Sequence, residues 1–405
     1  MKAKAQAVFR GLIQRRWVAV LLLVLLAAGL RLPDMGRVNR NGWDEAAYAF
    51  FARVWSEHGV AGIRRLLEVY PHDEKLQSSP LPLRITFIVA GAETCKLLGG
   101  FTRDNLAWLS FAAGLGIVAV GILFAWEITA NAAAAWLAGL LLVSSPLASG
   151  LSLRATQDTF MGLATLLVIW RFYRASRKRS LLNCTLLGLC LVVGFLTKET
   201  LVFIYPLFLC MLAWQRFVEE KNIVWQVVVP LAIAPFIYLA VVTMLCGGIG
   251  RFLSTYQLYS SLQQKLDYTL SLEKGPWHAY FVDFLALAPS VFFVAIGGLA
   301  ALWPPKDNAA YGLCILLFVG TCLVFGMLPV INMRLLLSAD FFLRAAAAVS
   351  VLRFSRLRPW AGPAAVVIFC GLLAIDWHTY QQVFIEGGLY NPTHSDLFRS
   401  MGFYR

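Results

Sequence analysis

The stretch NRNGWDEAAYAFFARVW, residues 39–55, follows directly on the first apolar segment of the chain. Over residues 44–58 the apolar side chains recur at helical spacing, which is typical of a helix lying along a membrane surface. Two adjacent carboxylates, Asp44 and Glu45, stand at the start of that helix. An ionised acid at a membrane surface needs water, a counter-ion or a chemical role. The stretch therefore predicts a surface helix that either supports the membrane domain or carries reactive acids.

The composition places most of the chain inside a lipid bilayer. Of 405 residues, 59% are hydrophobic and 14% are charged, and the mean hydropathy is +0.69. Such a chain is too apolar for a water-soluble protein, and only helices satisfy the backbone of its apolar runs in lipid. The formal charge of +13 fits positive cytoplasmic loops or a site for an anionic ligand, and composition does not choose between them. We expect a lipid bilayer as partner and no nucleic acid.

The distribution of positive residues predicts the topology. Lys2, Lys4, Arg10, Arg15 and Arg16 precede the first apolar run, residues 17–30, and place the N-terminus inside. A cleaved signal peptide is the alternative to an uncleaved first span, and both put the chain from residue 31 onward outside.

Residues 81–98 resemble a second span, but a crossing there would put the basic run 171–180 outside, against the positive-inside rule. The segment also carries Arg84, Glu93 and Lys96. Each such charge near a helix centre would cost about 2.5–3.5 kcal/mol. We therefore expect residues 82–98 to form an interfacial or re-entrant helix.

With that assignment the remaining apolar runs alternate across the membrane. The prediction is an all-α, polytopic transmembrane helix bundle of about eleven spans, with the N-terminus inside and the C-terminus outside. The predicted spans are residues 17–30, 106–126, 133–150, 158–171, 181–196, 200–216, 224–246, 280–303, 310–330, 335–351 and 360–377. Residues 31–105 form the first outer loop, residues 1–378 form one domain, and residues 379–405 form a short outer tail.

This topology collects most of the polar motifs on the outer face. They are the carboxylates of residues 44–45, SLRATQD at 152–158, LTKET at 196–200, INMR at 331–334, and the polar loop 247–279. Interfaces tolerate charge, so a purely structural explanation predicts charged residues at both faces. It does not predict acids and cations gathered on one face while the other is almost purely basic. We infer a functional site on the outer face.

These motifs resemble those of the GT-C superfamily of polytopic glycosyltransferases, in particular protein mannosyltransferases and aminoarabinose (lipid A) transferases. The residues that carry the resemblance are GWDEAAY (42–48), SSPLPL (78–83), LRATQD (153–158), GFLTKE (194–199), GPWHAY (275–280) and NMRLLL (332–337). The resemblance implies a hexosyl- or pentosyltransferase that moves a sugar from a polyprenyl-phosphate carrier to an acceptor at the outer face, with inversion.

The resemblance also implies roles for individual residues. Asp44 would be the general base, with Glu45 and Asp158 as further catalytic acids. Cations would neutralise the departing phosphate. The candidate substrate-binding residues are Lys198, Arg334, Arg154, Lys75, His72, Glu199 and Tyr48. His278 is an alternative donor, and Arg251, Tyr256, Tyr259 and Lys265 belong to a loop that covers the donor or is simply solvated.

Several candidates have structural alternatives. Glu45 could be a solvated or ion-paired side chain, Asp158 could act as a helix cap, and Lys198 and Arg334 could contact lipid headgroups. Asp340 and Arg344, four residues apart in a late span, are expected to pair and pack the bundle. No cofactor is predicted with certainty. Two acids could hold Mg²⁺ or Mn²⁺, but no further ligand spacing supports a metal site.

The main rival function is a transporter or lipid flippase, which would place ionisable residues near the bilayer midplane and often contain an internal repeat. No convincing repeat is present. We expect a plasma (inner) membrane location with the site facing the periplasm or lumen, in a cell-envelope process such as protein glycosylation or lipid A modification. The acceptor remains open among protein, lipid A, another glycolipid and a surface polymer.

Overall fold

A computed structural model describes residues 15–38, 42–265, 273, 275–302, 308–328 and 330–402. The basic residues Lys2, Lys4 and Arg10, and residues 266–272 and 274 of the loop 247–279, lie outside the described residues. Within the described ranges the chain is helical, and its one extended pairing is an isolated bridge between Asn332 and Thr393. The predicted all-α class is confirmed.

The region between the first apolar segment and the next long apolar helix consists of helices that are not candidate membrane spans. The first segment is α1 (Arg16–Arg31), and it is followed by α2 (Trp43–Val69), α3 (Glu74–Gln77) and α4 (Ile85–Leu97). Gly59 has a φ of 55° inside α2 and divides it into two helical parts. α4 has 13 residues. Its length of about 20 Å is well short of the roughly 30 Å hydrocarbon core, which fits the predicted interfacial or re-entrant helix.

The remaining helices form the bundle. Its first half contains α5 (Arg103–Thr129), α6 (Ala132–Val143), α7 (Pro146–Ser152), α8 (Asp158–Arg177), α9 (Leu181–Thr197), α10 (Tyr205–Phe217) and α11 (Val228–Cys246). Its second half contains α12 (Ile249–Lys265), α13 (Ala279–Leu287), α14 (Pro289–Leu302), α15 (Ala309–Gly326), α16 (Leu337–Phe354), α17 (Ala361–Tyr380) and α18 (His394–Ser400). α5 packs against α1, α6 and α8, and α16 packs against α6, α14 and α15.

Each predicted span coincides with a helix or a bent helix pair, but the predicted number of about eleven spans is not confirmed. Seven described helices are long and apolar enough to cross a membrane, or nine if each of two bent pairs is one span. The bent pairs are α6 with α7, at 55°, and α13 with α14, at 118°. α8 is not counted as a candidate span because its charged residues make it too polar. α9 is not counted because it has only 17 residues.

Two buried arginines satisfy the backbone at the break between α6 and α7. Pro146 lacks an N–H, so carbonyls at the end of α6 lose their usual donors. Arg31 donates to the carbonyls of Leu142 and Val143 at 3.3 and 3.4 Å. Arg344 donates to the carbonyl of Leu141 at 2.8 Å. A break inside a membrane domain is tolerated only when its backbone is satisfied in this way.

Arg344 also holds two buried acids. It pairs with Asp340 at 2.9 Å, as predicted, and with Asp376 of α17, which the sequence analysis did not identify. All three side chains are almost completely buried. Ser145 donates to the second oxygen of Asp340 at 2.6 Å. The network ties α6, α16 and α17 together near the end of α6, the start of α16 and the end of α17.

We expect Arg344→Met to destabilise the purified protein by about 3–5 kcal/mol, because it leaves two buried carboxylates without their cation. Thermal unfolding in detergent measures the change. Arg53→Met is the control, because Arg53 forms an exposed pair with Glu57. Removing that pair should change the free energy of unfolding by about 1 kcal/mol or less. Equal effects of the two variants would contradict the buried network.

We expect residues 75 and 103 to lie on the same side of the membrane, because α4 between them is too short to cross. In a protein without its native cysteines, Lys75→Cys and Arg103→Cys should both react with a membrane-impermeant thiol reagent from outside. Lys178→Cys, predicted to be cytoplasmic, should react only after permeabilisation. Reaction of positions 75 and 103 from opposite sides would show that the segment crosses.

Candidate active site

Charged side chains from distant parts of the sequence meet at the ends of four helical segments. Asp44 lies in the first turn of α2 and Asp158 in the first turn of α8, where the helix dipole favours a negative charge. Lys198 directly follows α9. Arg334 lies in the 3₁₀ helix Met333–Leu336 that leads into α16. The structure therefore brings together four of the residues that the sequence analysis selected.

Arg334 occupies the centre of this cluster. Its Nη1 atom lies 3.6 Å from Asp44 Oδ2 and 3.5 Å from Asp158 Oδ2. Its Nη2 atom lies 3.9 Å from Oε1 of Glu273. The backbone N–H of Arg334 donates to Oδ1 of Asn332 at 3.1 Å, which caps the short helix. One guanidinium thus joins three carboxylates from separate segments.

Lys198 approaches Asp158 from the opposite side. Its Nζ atom lies 3.3 Å from Asp158 Oδ1, so the two oxygens of that carboxylate face two different cations. Burial lowers the pKa of Lys198 below its ordinary value, and the attraction of Asp158 opposes this shift. Asp158 is therefore the acid that connects the two cations.

Arg84 forms a second cationic centre beside the first. It precedes α4 and is buried. It donates to the hydroxyls of Tyr48 and Tyr259, the latter at 3.5 Å, and its Nη2 atom lies 4.0 Å from Glu199 Oε1. Two predicted substrate-binding residues, Tyr48 and Glu199, thus contact Arg84 in this structure. Tyr259 contacts it as well; it lies in α12, so residues 249–265 of the predicted polar loop form a helix.

The ion pairs of this cluster are long. Their N···O distances are 3.3, 3.5, 3.6, 3.9 and 4.0 Å. A tight pair between a cation and a carboxylate has a distance of about 2.7–2.9 Å. The structural pair of Arg344 and Asp340 reaches 2.9 Å. The ion pairs of the cluster are therefore looser than the buried pair within the bundle.

The carboxylates differ in their access to solvent. The exposed fraction of the side chain is 37% for Asp44, 23% for Glu199, 10% for Glu273 and 4% for Asp158. Asp44 is thus the most accessible of the four acids that contact Arg334 or Arg84. A molecule arriving from solution would meet Asp44 first.

Glu45, predicted as catalytic, faces away from this opening. Its side chain is buried, and its Oε1 accepts a hydrogen bond from the backbone N–H of Ala155 at 3.0 Å. Glu45 also attracts the buried Arg154, whose pKa burial lowers to about 10 against this attraction. The Arg154 guanidinium lies 4.6 Å from the ring centre of Tyr390. Glu45 and Arg154 thus form a buried pair of charges that stabilises the loop between α7 and α8.

Two predicted substrate-binding residues lie apart from the cluster. Lys75 in α3 and His72 in the preceding 3₁₀ helix have exposed side chains, and none of the contacts described above involves them. His278, the alternative donor, is exposed beside Trp277. The structure brings none of these three side chains into contact with Asp44, Asp158 or Arg334 within the described residues.

Arg84 and Glu273 are members of the cluster that sequence reasoning did not select. Arg84 entered the sequence analysis only as a charge too costly for a span. A lone arginine directly after the prolines of SSPLPL was the signal that could have identified it. Glu273 belongs to a polar loop with no local pattern. Its contacts with Arg334 and, at 3.0 Å, with Asn332 depend on folding across about 60 residues.

The described acids of the cluster do not form a metal-binding site with three or more protein ligands. Among the described residues, no group of three or more His, Cys, Asp or Glu side chains has a geometry that could hold a metal ion. The two acids considered as metal ligands, Asp44 and Asp158, share Arg334 as their counter-ion.

The chain shows similarity to one protein family by sequence. Residues 91–241 match the family model of dolichyl-phosphate-mannose-protein mannosyltransferases. No curated protein sequence matches the chain. The matched region includes Asp158 and Lys198 but neither Asp44 nor Arg334, so it covers only part of the cluster.

Solved structures resemble the chain over most of its length. ArnT from Cupriavidus metallidurans bound to undecaprenyl phosphate has a TM-score of 0.55 and 17% identity, over 88% of this chain and 64% of that chain. The oligosaccharyltransferase of Archaeoglobus fulgidus, tethered to an acceptor peptide, has a TM-score of 0.64 and 12% identity, over 91% and 55%. The archaeal oligosaccharyltransferase AglB from Archaeoglobus fulgidus, in complex with an inhibitory peptide and a dolichol-phosphate, has a TM-score of 0.57 and 11% identity, over 91% and 55%.

These matches confirm the predicted resemblance to GT-C glycosyltransferases and show that the chain has their fold. The chain spans between about half and two thirds of the length of the solved structures that it resembles. At these identities the likeness concerns the fold, and the roles of individual residues rest on the geometry of the cluster.

We expect Glu45→Ala to destabilise the protein, because the buried N–H of Ala155 loses its acceptor and Arg154 loses an adjacent negative charge. The loss should be at least about 1–3 kcal/mol. Glu45→Gln retains an acceptor oxygen and should lose less. Glu57→Ala, which removes an exposed glutamate of α2, is the control and should change stability by about 0.5 kcal/mol or less. Thermal unfolding in detergent compares the three, and full stability of Glu45→Ala would contradict the supporting role.

Proposed function

We propose that the protein is an integral-membrane glycosyltransferase that moves a sugar from a polyprenyl-phosphate carrier to an acceptor at the outer face of the membrane. The observation that carries the proposal is the cluster in which Arg334 joins Asp44 to Asp158 while Lys198 contacts the far side of Asp158. Such a site offers one accessible acid beside several cations. Transfer of a sugar from a lipid phosphate needs a base for the acceptor and cations for the leaving group.

Asp44 is the proposed general base. It removes the proton from a hydroxyl or amine of the acceptor as that atom attacks the anomeric carbon of the sugar. The bond from this carbon to the phosphate oxygen breaks, and the polyprenyl phosphate leaves with the electron pair. A single displacement of this kind inverts the anomeric centre. The exposure of Asp44 supports this role, since the acceptor must reach it from outside.

Lys198 and Arg84 are the proposed phosphate ligands, with Arg334 between them and the base. A leaving phosphate gains negative charge in the transition state, and fixed cations nearby stabilise that charge. Arg84 directly precedes α4, and Lys198 directly follows α9. Their carboxylate partners, Asp158 and Glu199, lie at 3.3 and 4.0 Å and could yield the cations to a phosphate. Asp158 is then the residue that positions Lys198 and Arg334.

An apolar groove along α9 and α11 suits the lipid part of the donor. It has a volume of about 690 Å³ and is lined mainly by aliphatic residues, among them Leu189, Val192 and Ile237. Lys198 follows six residues after Val192, which corresponds to about 9 Å along a helix. The groove runs along α9 from Arg179 and Ser180 to Val192. We propose that a polyprenyl chain in it lies with its phosphate end towards Lys198.

The relatives support the same class of donor. ArnT has been solved with undecaprenyl phosphate, and AglB with a dolichol-phosphate. The matched family is named for dolichyl-phosphate-mannose. The Archaeoglobus fulgidus oligosaccharyltransferase was solved with an acceptor peptide. The acceptor proposed here stays general: a protein, lipid A, another glycolipid or a surface polymer. We propose a plasma (inner) membrane location with Asp44 facing outward.

We expect the wild-type protein in liposomes to release polyprenyl phosphate when it is given the right polyprenyl-phosphate sugar and acceptor. A panel of donors with mixed acceptors identifies the sugar. Asp44→Asn should lower turnover by about 10²- to 10⁴-fold, because it removes the proton acceptor without changing the size of the side chain. Glu93→Gln, which neutralises an exposed carboxylate on α4, should retain turnover.

Each other outcome excludes one part of the proposal. Equal turnover of Asp44→Asn and wild type would remove Asp44 as the base and favour Asp158. Absence of release from every donor, together with movement of a solute or lipid across the liposome, would favour a transporter or flippase.

A further inference from the structure

Residues 389–393, with the sequence LYNPT, touch three separate parts of the candidate site. They follow α17 and a π-helical turn, Gln381–Glu386, and precede α18. The sequence analysis treated this region as part of an outer tail without a chemical role. Its contacts are with the loop before α8, with the start of α2, and with the segment that carries Arg334.

The first contact is with the loop that leads to Asp158. Arg154 donates a hydrogen bond to the carbonyl of Leu389, and its guanidinium lies over the ring of Tyr390 with 4.6 Å to the centroid. A guanidinium over an aromatic face is attracted by about 0.5–2 kcal/mol, more when it is shielded from water. Residues 389–390 thus hold one side of the loop between α7 and α8.

The second contact is with the start of the helix that carries Asp44. A Cβ atom placed on Gly42 would lie only 1.6 Å from the hydroxyl oxygen of Tyr390. Gly42 is the residue that caps α2, two positions before Asp44. The Tyr390 hydroxyl therefore packs directly against the backbone of Gly42, at the start of the helix that carries Asp44.

The third contact is with Asn332 and Met333, directly before Arg334. Asn332 Nδ2 donates to Asn391 Oδ1 at 2.8 Å and to Glu273 Oε1 at 3.0 Å. The N–H of Met333 donates to the carbonyl of Pro392 at 3.1 Å, and Thr393 forms a bridge with Asn332. The other end of the same amide, Oδ1 of Asn332, accepts from the N–H of Arg334.

We propose that residues 389–393 are a positioning segment of the active site, in which Asn391 fixes, through Asn332, the place of Arg334 between Asp44 and Asp158. The inference rests on the proposed function for its effect on turnover, but not for its effect on Arg334 itself. Asn391 and Glu273 together determine which end of the Asn332 amide faces Arg334, because both oxygens accept from its amino end. Arg334 in turn lies within 4 Å of three carboxylates, so a small displacement separates it from them.

The segment is itself anchored from the other side. His394 Nδ1 lies 2.5 Å from Oδ1 of Asp283, a buried residue of α13. Thr393 caps α18 through a hydrogen bond from the N–H of Asp396 at 3.3 Å. Residues 389–393 are therefore held between α18 and the α7–α8 loop, and they can transmit a fixed position to Arg334.

Asn391→Ala and Asn391→Asp test the proposal. Asn391→Ala removes the nearer of the two acceptors of the Asn332 amide. We expect kcat to fall about 10- to 100-fold while KM for the donor changes little, because a displacement of about 1 Å can cost 10²-fold in rate. Asn391→Asp retains an oxygen in the same place and should restore most of kcat. A segment that only stabilises the fold would lower the unfolding temperature of Asn391→Ala without this separation of kcat from KM and without the rescue.

A second measurement does not depend on turnover. The reaction of arginines with a guanidine-specific reagent, followed by peptide mass spectrometry, reports the accessibility of Arg334, whose side chain is 16% exposed. Asn391→Ala should increase the reaction rate of Arg334 severalfold, Asn391→Asp should leave it near the wild-type rate, and the exposed Arg53 should react equally in all three proteins. An unchanged rate at Arg334 in Asn391→Ala overturns the proposal, whatever the turnover.

The two measurements separate the two hypotheses. Absence of turnover in the wild type, with faster labelling of Arg334 in Asn391→Ala, would overturn the proposed function and support the positioning role. Normal turnover in both Asn391 variants would overturn the positioning role and leave the proposed function intact.

Discussion

The candidate active site depends on one cation. Arg334 lies between Asp44, Asp158 and Glu273, which come from the start of α2, the start of α8 and the loop before α13. Carboxylates gathered at a low-dielectric membrane surface repel one another, and each would be costly without a counter-ion. A guanidinium has five donors in a planar fork, so it can face several acids at once where an ammonium group could not. The position of Arg334 therefore determines how three segments of the chain meet.

A second group of charged side chains is buried within the helix bundle. The helical path is interrupted between α6 and α7 at Pro146. The buried side chains of Arg31 and Arg344 donate hydrogen bonds to the carbonyls at this interruption. Arg344 is itself fixed by Asp340 and Asp376. Those charges are fully buried and their pairs are short, so they have no freedom to exchange partners. Arginine–carboxylate pairs thus occur in two settings that differ in burial and in N···O distance. The fully buried, short pairs hold the bundle together, and the longer pairs form the candidate site.

The sequence predicted the parts of the site that have a local signature. Asp44, Asp158, Lys198 and Arg334 each lie at the boundary between an apolar run and a polar motif, so the predicted topology alone placed them on one face. The surface helix beginning at Asp44 and the short helix after the prolines were predicted for the same reason. The predicted number of about eleven spans is not confirmed, because α8 carries several charges and α9 is short. Glu273, Arg84 and residues 389–393 enter the site through contacts across long sequence separations, for which the sequence has no periodic signal.

The charge balance of the cluster bears on how a phosphate would enter it. Four acids, Asp44, Asp158, Glu199 and Glu273, face three cations, Arg84, Lys198 and Arg334, so the formal sum is 3 − 4 = −1. A phosphate adds further negative charge, so it must take cations away from carboxylates that already hold them. That exchange is least costly where the existing pairs are weakest, and every pair in the cluster is longer than the optimum of about 2.9 Å. A donor that binds in this way moves Lys198 and Arg84 from acid to phosphate. The acids then remain close to the sugar, where the acceptor must lose its proton.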